Sequence, residues 1–307
     1  MAKAFWRLFL VLADRRYATL AFVLLVVFWG SAFTVIKVGL GYTPPVLFAG
    51  MRTLLCGLAM TLVALVWGGR ANLWRDWTVY LLLTAFNVVF FMGLQTLTIL
   101  YMPSGSAAVV IYLQPILVGL LSFLVLGEAL SNSKVVGLVL GFFGVVAVSA
   151  GSLYGAGLGS PSGVAFGVVS ALGWAFGTVY FKKYGERLST LWAVAMPFSI
   201  GGVLLTGLGL VLEPFSAISW NGPFVASLLY TAFIGTAFAW VLWLGLVRAG
   251  EASRVAAYVF FVPLVSVLLG ALFLEETMSP TLLVGAALVV SGIYLVNRQG
   301  AEEKKAE

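Results

Sequence analysis

Ten apolar stretches of about 20 residues each, parted by short polar breaks, leave this chain little choice of solvent. They cover residues 17–39, 44–67, 77–99, 104–126, 134–152, 161–181, 189–211, 223–247, 253–274 and 280–296. No two-residue alternation of apolar and polar positions runs through them, so they read as helices rather than barrel strands. In hydrocarbon every backbone N–H and C=O must be paired, and a helix of this length pairs its own while crossing the bilayer. Only 9% of the 307 residues are charged, against about a quarter in soluble domains, so a water-facing surface cannot be assembled. The expected fold class is an all-α polytopic membrane protein with ten transmembrane helices, and its surroundings are the lipid bilayer.

The residue inventory removes several kinds of chemistry. Histidine is absent and Cys56 is the only cysteine. No disulfide framework, CxxC redox pair, His-based metal site or Ser–His relay can be built, so neither an enzyme nor a metal site is expected. The first 16 residues carry Lys3, Arg7, Arg15 and Arg16, but no short apolar core ending in a small-residue cleavage site follows. The first helix is therefore expected to stay. A net charge of +6 does not imply nucleic acid, because the basic residues are scattered between the spans and form no single patch.

Their placement reports orientation instead. Short loops rich in lysine and arginine stay on the cytoplasmic side. With the N-terminus inside, the inner segments hold Lys3, Arg7, Arg15, Arg16, Arg70, Arg75, Lys134, Lys182, Lys183, Arg187, Arg248, Arg254, Arg298, Lys304 and Lys305, which is 15 of 17. The outer loops hold no basic residue but contain Glu213, Glu275 and Glu276. Both termini are thus expected in the cytoplasm, with residues 1–16 and 298–307 as cytoplasmic ends.

Residues 94–149 and 242–297 match at a constant offset of 148. Pro115 meets Pro263, Leu126 meets Leu274, Glu128 meets Glu276, Gly137 meets Gly285 and Gly144 meets Gly292. A weaker match joins Phe28-Trp29 to Gly173-Trp174 at offset 145. Two five-helix halves follow, residues 17–152 and 161–297, joined by an outer linker at 153–160. Five is odd, so the second half enters from the opposite face and the repeats are inverted. Inverted repeats are the usual architecture of secondary transporters, with the substrate site near the midplane between halves. A duplicated structural membrane protein is the alternative.

The motif FWGSAF at 28–33, the run from Pro115 through Leu126-Gly127-Glu128, its echo from Pro263 through Leu274-Glu275-Glu276, and the glycine-spaced last helix of each half resemble the EamA family of the drug/metabolite transporter superfamily. The resemblance covers residues 17–297. Within that family the chain looks most like YddG-type exporters of aromatic and other neutral amino acids. It implies ten helices in a basket-like arrangement, export from the cytoplasm across a bacterial inner membrane, no cofactor and a small-molecule partner. Two related readings stay open: export of drugs or quaternary amines, where an intramembrane glutamate would be expected, and flipping of a lipid-linked sugar.

Midway along their spans lie Trp29, Asn87, Tyr112, Gln114, Trp174 and, nearer the inner face, Tyr258. The amides offer donors and acceptors to a zwitterion and the rings offer stacking or cation–π surface. Alternatively the rings pack between helices or form interfacial belts, and the amides bond across helices. Arg52 is the cation well inside a span, about 12 Å from the outer end of the second helix at the helical rise. It is a candidate charge contact for a substrate carboxylate, against snorkelling to the outer headgroups. No Asp or Glu is expected inside a span, which leaves facilitated transport or coupling through a helix-end glutamate. Pro115 and Pro263 each remove a backbone bond at matched positions and are candidate hinges, or static bends. Pro197 has no such counterpart. The spacings Gly137-xxx-Gly141, Gly163-xxx-Gly167 and Gly173-xxx-Gly177 suit close helix approach within one chain, so a functional monomer is expected.

Overall fold

The structure is a computed structural model that describes residues 18–102, 104–150, 160–274 and 281–306. Lys3, Arg7, Arg15, Arg16, Glu275, Glu276 and the expected linker up to residue 159 lie outside the described residues. Ten helices make up the rest: α1 Ala18–Leu40, α2 Pro45–Trp67, α3 Leu73–Tyr101, α4 104–126, α5 Asn132–Val148, α6 Pro161–Tyr184, α7 Thr190–Leu212, α8 Gly222–Ala249, α9 252–274 and α10 Thr281–Ala306. Eight are long and apolar enough to cross a membrane, and the shorter apolar helices Asn132–Val148 and Ala252–Ser266 complete the set. We call the end holding Lys182, Lys183, Arg187, Arg248 and Arg254 the basic face and the opposite end the far face.

Two boundaries differ from expectation. Helix α3 begins four residues before residue 77, because the Asn72 side chain accepts the Arg75 N–H at 3.1 Å and caps it there. Asp76 therefore lies in the first turn of a span, buried, with Arg187 Nε on its Oδ1 at 2.8 Å. The expectation of no acid within any span fails at that helix end. Helix α10 continues to Ala306, so residues 298–306 of the expected tail extend the helix instead of leaving it.

The halves meet through equivalent helices. Helix α2 packs on α7 and α5 on α10, each pair drawing one helix from each half. The repeat's own glycines face each other in the second pair. A Cβ at Gly137 would lie 2.6 Å from Gly292 O, and one at Gly292 would lie 2.5 Å from Gly137 O. Gly144 and Gly285 are related in the same way, at 2.9 and 2.7 Å. Removing the side chains lets the backbones touch, which is how helices associate without a hydrophobic driving force. The inner helices are arranged alike, with α1 against α8 and α9, and α6 against α3 and α4. The three small-residue spacings are spent inside the chain: Gly141 on Phe260, Gly163 on Met102, Gly167 on Val110, Gly173 on Phe90 and Gly177 on Asn87.

Four inner helices depart from α geometry at matched places. Helix α4 breaks at residues 112–113, between Ser104–Ile111 and Gln114–Leu126, and α9 tightens into a 3-10 turn at Tyr258–Phe260. Each break sits just before a proline, Pro115 or Pro263, whose missing N–H cannot close the ladder behind it. Helix α3 widens into π geometry over Thr84–Gly93 and α8 over Phe233–Phe238, a local i→i+5 ladder that is common at functional sites. At the repeat offset, residues 85–90 fall on 233–238. Helix α7 carries Pro197 without interruption.

Candidate functional site

A cleft between the halves begins at one face of α1. Trp29, Ala32, Phe33 and Ile36 follow the i, i+3, i+4, i+7 stripe of a helix and all face it. Arg52 of α2, Phe91, Met92 and Gln95 of α3, Tyr112 of α4, Trp174 of α6 and Gly235 of α8 complete the wall. The cleft is narrow, with little space between its walls.

Its floor is aromatic. The Trp29 and Trp174 rings meet edge to face at 5.1 Å, Trp243 lies 5.5 Å from Trp29 and 5.6 Å from Trp174, and Phe91 stacks on Trp174 at 4.6 Å. Trp240 joins at 6.3 Å from Trp29 and 5.0 Å from Phe198. Such pairs favour these offset and edge-on geometries and contribute about 1 kcal/mol each beyond burial. The cluster draws its rings from α1, α3, α6 and α8.

Polar contacts between the halves gather at the basic face. Glu128, just past α4, accepts the Ala252 N–H at 2.7 Å, the Ser253 N–H at 3.1 Å and the Ser253 hydroxyl at 2.5 Å. A carboxylate there meets the unpaired amides and positive dipole end of α9. Lys134 of α5 pairs with Glu251 at 2.5 Å, and Arg254 reaches the other Glu251 oxygen at 2.9 Å. Within the second half, Lys182 donates to the carbonyls of Arg248 and Gly250 at 3.0 and 2.8 Å, and Arg248 to those of Gly185 and Leu188 at 2.9 and 2.6 Å. At the far face Glu213 accepts the Val46 and Leu47 N–H groups at 3.0 and 2.8 Å, capping α2 from the end of α7.

A model of the EamA-like transporter family matches residues 16–150 and again residues 161–298. The chain belongs to the EamA-like transporter family. Among its EamA relatives is a Bacillus subtilis protein named "Uncharacterized transporter YvbV", 42% identical over 285 residues that cover 92% of each chain. A Salmonella typhimurium protein named "Probable amino-acid metabolite efflux pump" is 30% identical over 89% of this chain and 92% of its own. A solved structure titled "Crystal structure of protein" is similar at a TM-score of 0.81 and 20% identity, covering 94% of this chain and 99% of that one, a likeness of fold alone.

Of the residues singled out from sequence, Trp29, Tyr112, Trp174 and Arg52 come together in this EamA cleft. Asn87, Gln114 and Tyr258 do not. Asn87 is buried against Gly177, and its Oδ1 finds no partner among the described residues. Gln114 is wholly buried with neither amide atom partnered among those residues. Tyr258 stacks on Phe22 at 4.2 Å and lines a separate recess at the basic face with Arg254 and Asn297. Ala32, Phe33, Ile36, Phe91, Met92, Gln95 and Gly235 also line it and were not singled out as cavity residues from the sequence. The α1 stripe from Trp29 through Ile36 carried a signal for three of them.

Proposed function

We propose that this EamA protein exports small metabolites, chiefly aromatic and other neutral amino acids, from the cytoplasm across a bacterial inner membrane. The observation that carries this reading is the cleft between the halves, walled by rings, with one cation on its side and polar contacts joining the halves at the basic face. Concave, mostly apolar sites with a few polar groups at a repeat interface suit small-molecule transport. The names of two relatives, the efflux pumps of Salmonella typhimurium and Escherichia coli, support amino-acid metabolites as cargo. The basic face lies in the cytoplasm on the charge rule, with both termini inside. The far face is then periplasmic, and alternating access parts the Glu128 and Lys134 contacts. Pro115 and Pro263, beside the matched breaks in α4 and α9, serve as hinges. The monomer holds a complete site, and no bound cofactor takes part.

With no acid in the cleft wall, transport runs down the substrate gradient, and a quaternary-amine cargo is disfavoured for the same reason. Counterflow of radiolabelled phenylalanine and other neutral amino acids into liposomes containing only this protein is the test. Saturable exchange that proceeds equally with and without a pH gradient is expected. Flat traces for every neutral amino acid would overturn the cargo assignment.

A further inference from the structure

We propose that Arg52 is a carboxylate anchor, and that the cleft selects its cargo by a carboxylate on an apolar or aromatic body, with the amino group contributing little. This rests on the reading of the cleft as the transport site and names the chemistry that site recognises.

Arg52 is 2% exposed, yet its guanidinium is poorly engaged. Its described hydrogen bonds all leave one nitrogen, Nη2, toward Met92 O at 3.5 Å, Gln95 Oε1 at 3.4 Å and Thr96 Oγ1 at 3.2 Å. These are at or beyond the long end for N–H···O, and all three acceptors are neutral. The Nε–H has no partner among the described residues, and Arg52 forms no ion pair there. Carboxylates are committed at helix ends instead: Asp76 to Arg187, Glu128 to α9, Glu213 to α2 and Glu251 to Lys134 and Arg254. A buried cation without a counter-ion is costly, and it persists where it faces a partner or a cavity.

The direction of the side chain decides between anchor and snorkel. Its partners Met92, Gln95 and Thr96 stand on α3 at the depth of Arg52 itself, so the head reaches across the protein interior and not toward the far-face headgroups. There it lines the cleft beside Gln95 and Tyr112. The planar fork of a guanidinium matches a carboxylate in a bidentate pair.

To an ammonium the same wall offers ring faces but no anionic partner among the described residues. Apart from Arg52, its polar side chains are Gln95, Tyr112 and the indoles of Trp29 and Trp174, and Gln95 Oε1 already accepts from Arg52. A zwitterion leaves the site with the net charge it had when empty, whereas a monoanion cancels it. Amine-free aromatic acids should therefore bind at least as well as amino acids.

Three probes that share one phenyl body separate the groups: phenylalanine, its 2-oxo analogue phenylpyruvate, and its decarboxylated analogue phenethylamine. Binding to the purified full chain is read by ligand-induced quenching of tryptophan fluorescence. Expected is binding of phenylpyruvate equal to or tighter than that of phenylalanine, with phenethylamine at least tenfold weaker than either. Arg52→Gln should weaken both acids at least tenfold and leave phenethylamine unchanged, and Arg52→Lys should recover part of the loss. Phenethylamine binding as well as phenylalanine overturns the proposal, as does Arg52→Gln with unchanged acid affinity or a wild type that binds no acid. If Arg52→Gln does not fold, the wild-type ranking and Arg52→Lys still decide. Amino-acid counterflow without the acid preference would sink this inference and leave the transport reading standing. Acid binding without counterflow would do the reverse.

Discussion

Glu128 and Ser253 lie 125 positions apart and join the two halves of the chain, since one Glu128 oxygen accepts both the backbone N–H and the hydroxyl of Ser253. Hydrogen bonds to a charged acceptor contribute about 1.5–3 kcal/mol each when buried. Glu128→Ala is expected to loosen the basic face by about 2 kcal/mol and to leave the far face as it is. A cysteine placed at Val255 in a Cys56→Ser background should then react with a soluble maleimide several-fold faster. Unchanged labelling would show that the contact does not hold that face shut.

The Lys134–Glu251 pair is unequal. The lysine side chain is 3% exposed, while that of the glutamate is 35% exposed and also holds Arg254. Glu251→Gln strands a buried cation, whereas Lys134→Met leaves a carboxylate with a second partner and access to water. We expect Glu251→Gln to cost about 2 kcal/mol, below the roughly 3–5 kcal/mol of a fully buried broken pair because Lys134 keeps its bond to Ala129 O at 2.9 Å, and Lys134→Met distinctly less. Melting of both variants in detergent checks this, and the reverse order would contradict it.

Glycines at the α5–α10 seam cannot accept a methyl without moving backbone. Gly292→Ala would put Cβ 2.5 Å from Gly137 O and 2.6 Å from Gly141 N, neither of which can swing aside. A loss of about 1–3 kcal/mol is expected, as for overpacked cores. Gly207→Ala, with nothing within 4 Å of the new atom, is the control and should behave as wild type. Size-exclusion yield and melting temperature compare them.

Trp29 touches Trp174, Trp240 and Trp243, so Trp29→Ala removes the centre of the aromatic floor. Substrate affinity in counterflow should fall at least tenfold, about 1.4 kcal/mol. Trp29→Phe keeps a ring and should retain most of it. Equal loss in both would assign the indole N–H, and not the stacking surface, to the cargo.

Hydropathy and the 148-residue offset made the fold legible, because lipid permits few architectures and a duplicated packing seam leaves its glycines in register. FWGSAF at 28–33 was informative for a similar reason. Trp29 and Phe33 face the cleft, Gly30 meets Val265 with a would-be Cβ 2.6 Å from its Cγ1, and Ser31 bonds Tyr230 at 2.7 Å. The site was read less well. Position along a span gives a residue's depth but not which way it points, so depth alone does not tell Trp29 and Tyr112, which line the cleft, from Asn87 and Gln114, which do not. The wide turns in α3 and α8 deepen the problem, since each rotates the residues after it relative to an ideal helix and leaves no mark in composition. Gly235 shows the cost. At the repeat position of Asn87, it has no side chain and so leaves the wall open.

Glycines line both seams, since Gly50 and Gly57 of α2 meet the backbone of Thr206 and Ser199 of α7 much as Gly137 and Gly144 of α5 meet that of α10, and the seams make each half the other's missing subunit. Neither five-helix unit, expressed by itself, has anything but lipid to lay against its two bare glycine faces. A gene cut within residues 153–159 should therefore yield a working protein when both fragments are made in one cell, and none when either is made alone. Viewed so, the molecule is an antiparallel heterodimer that happens to be encoded as one reading frame.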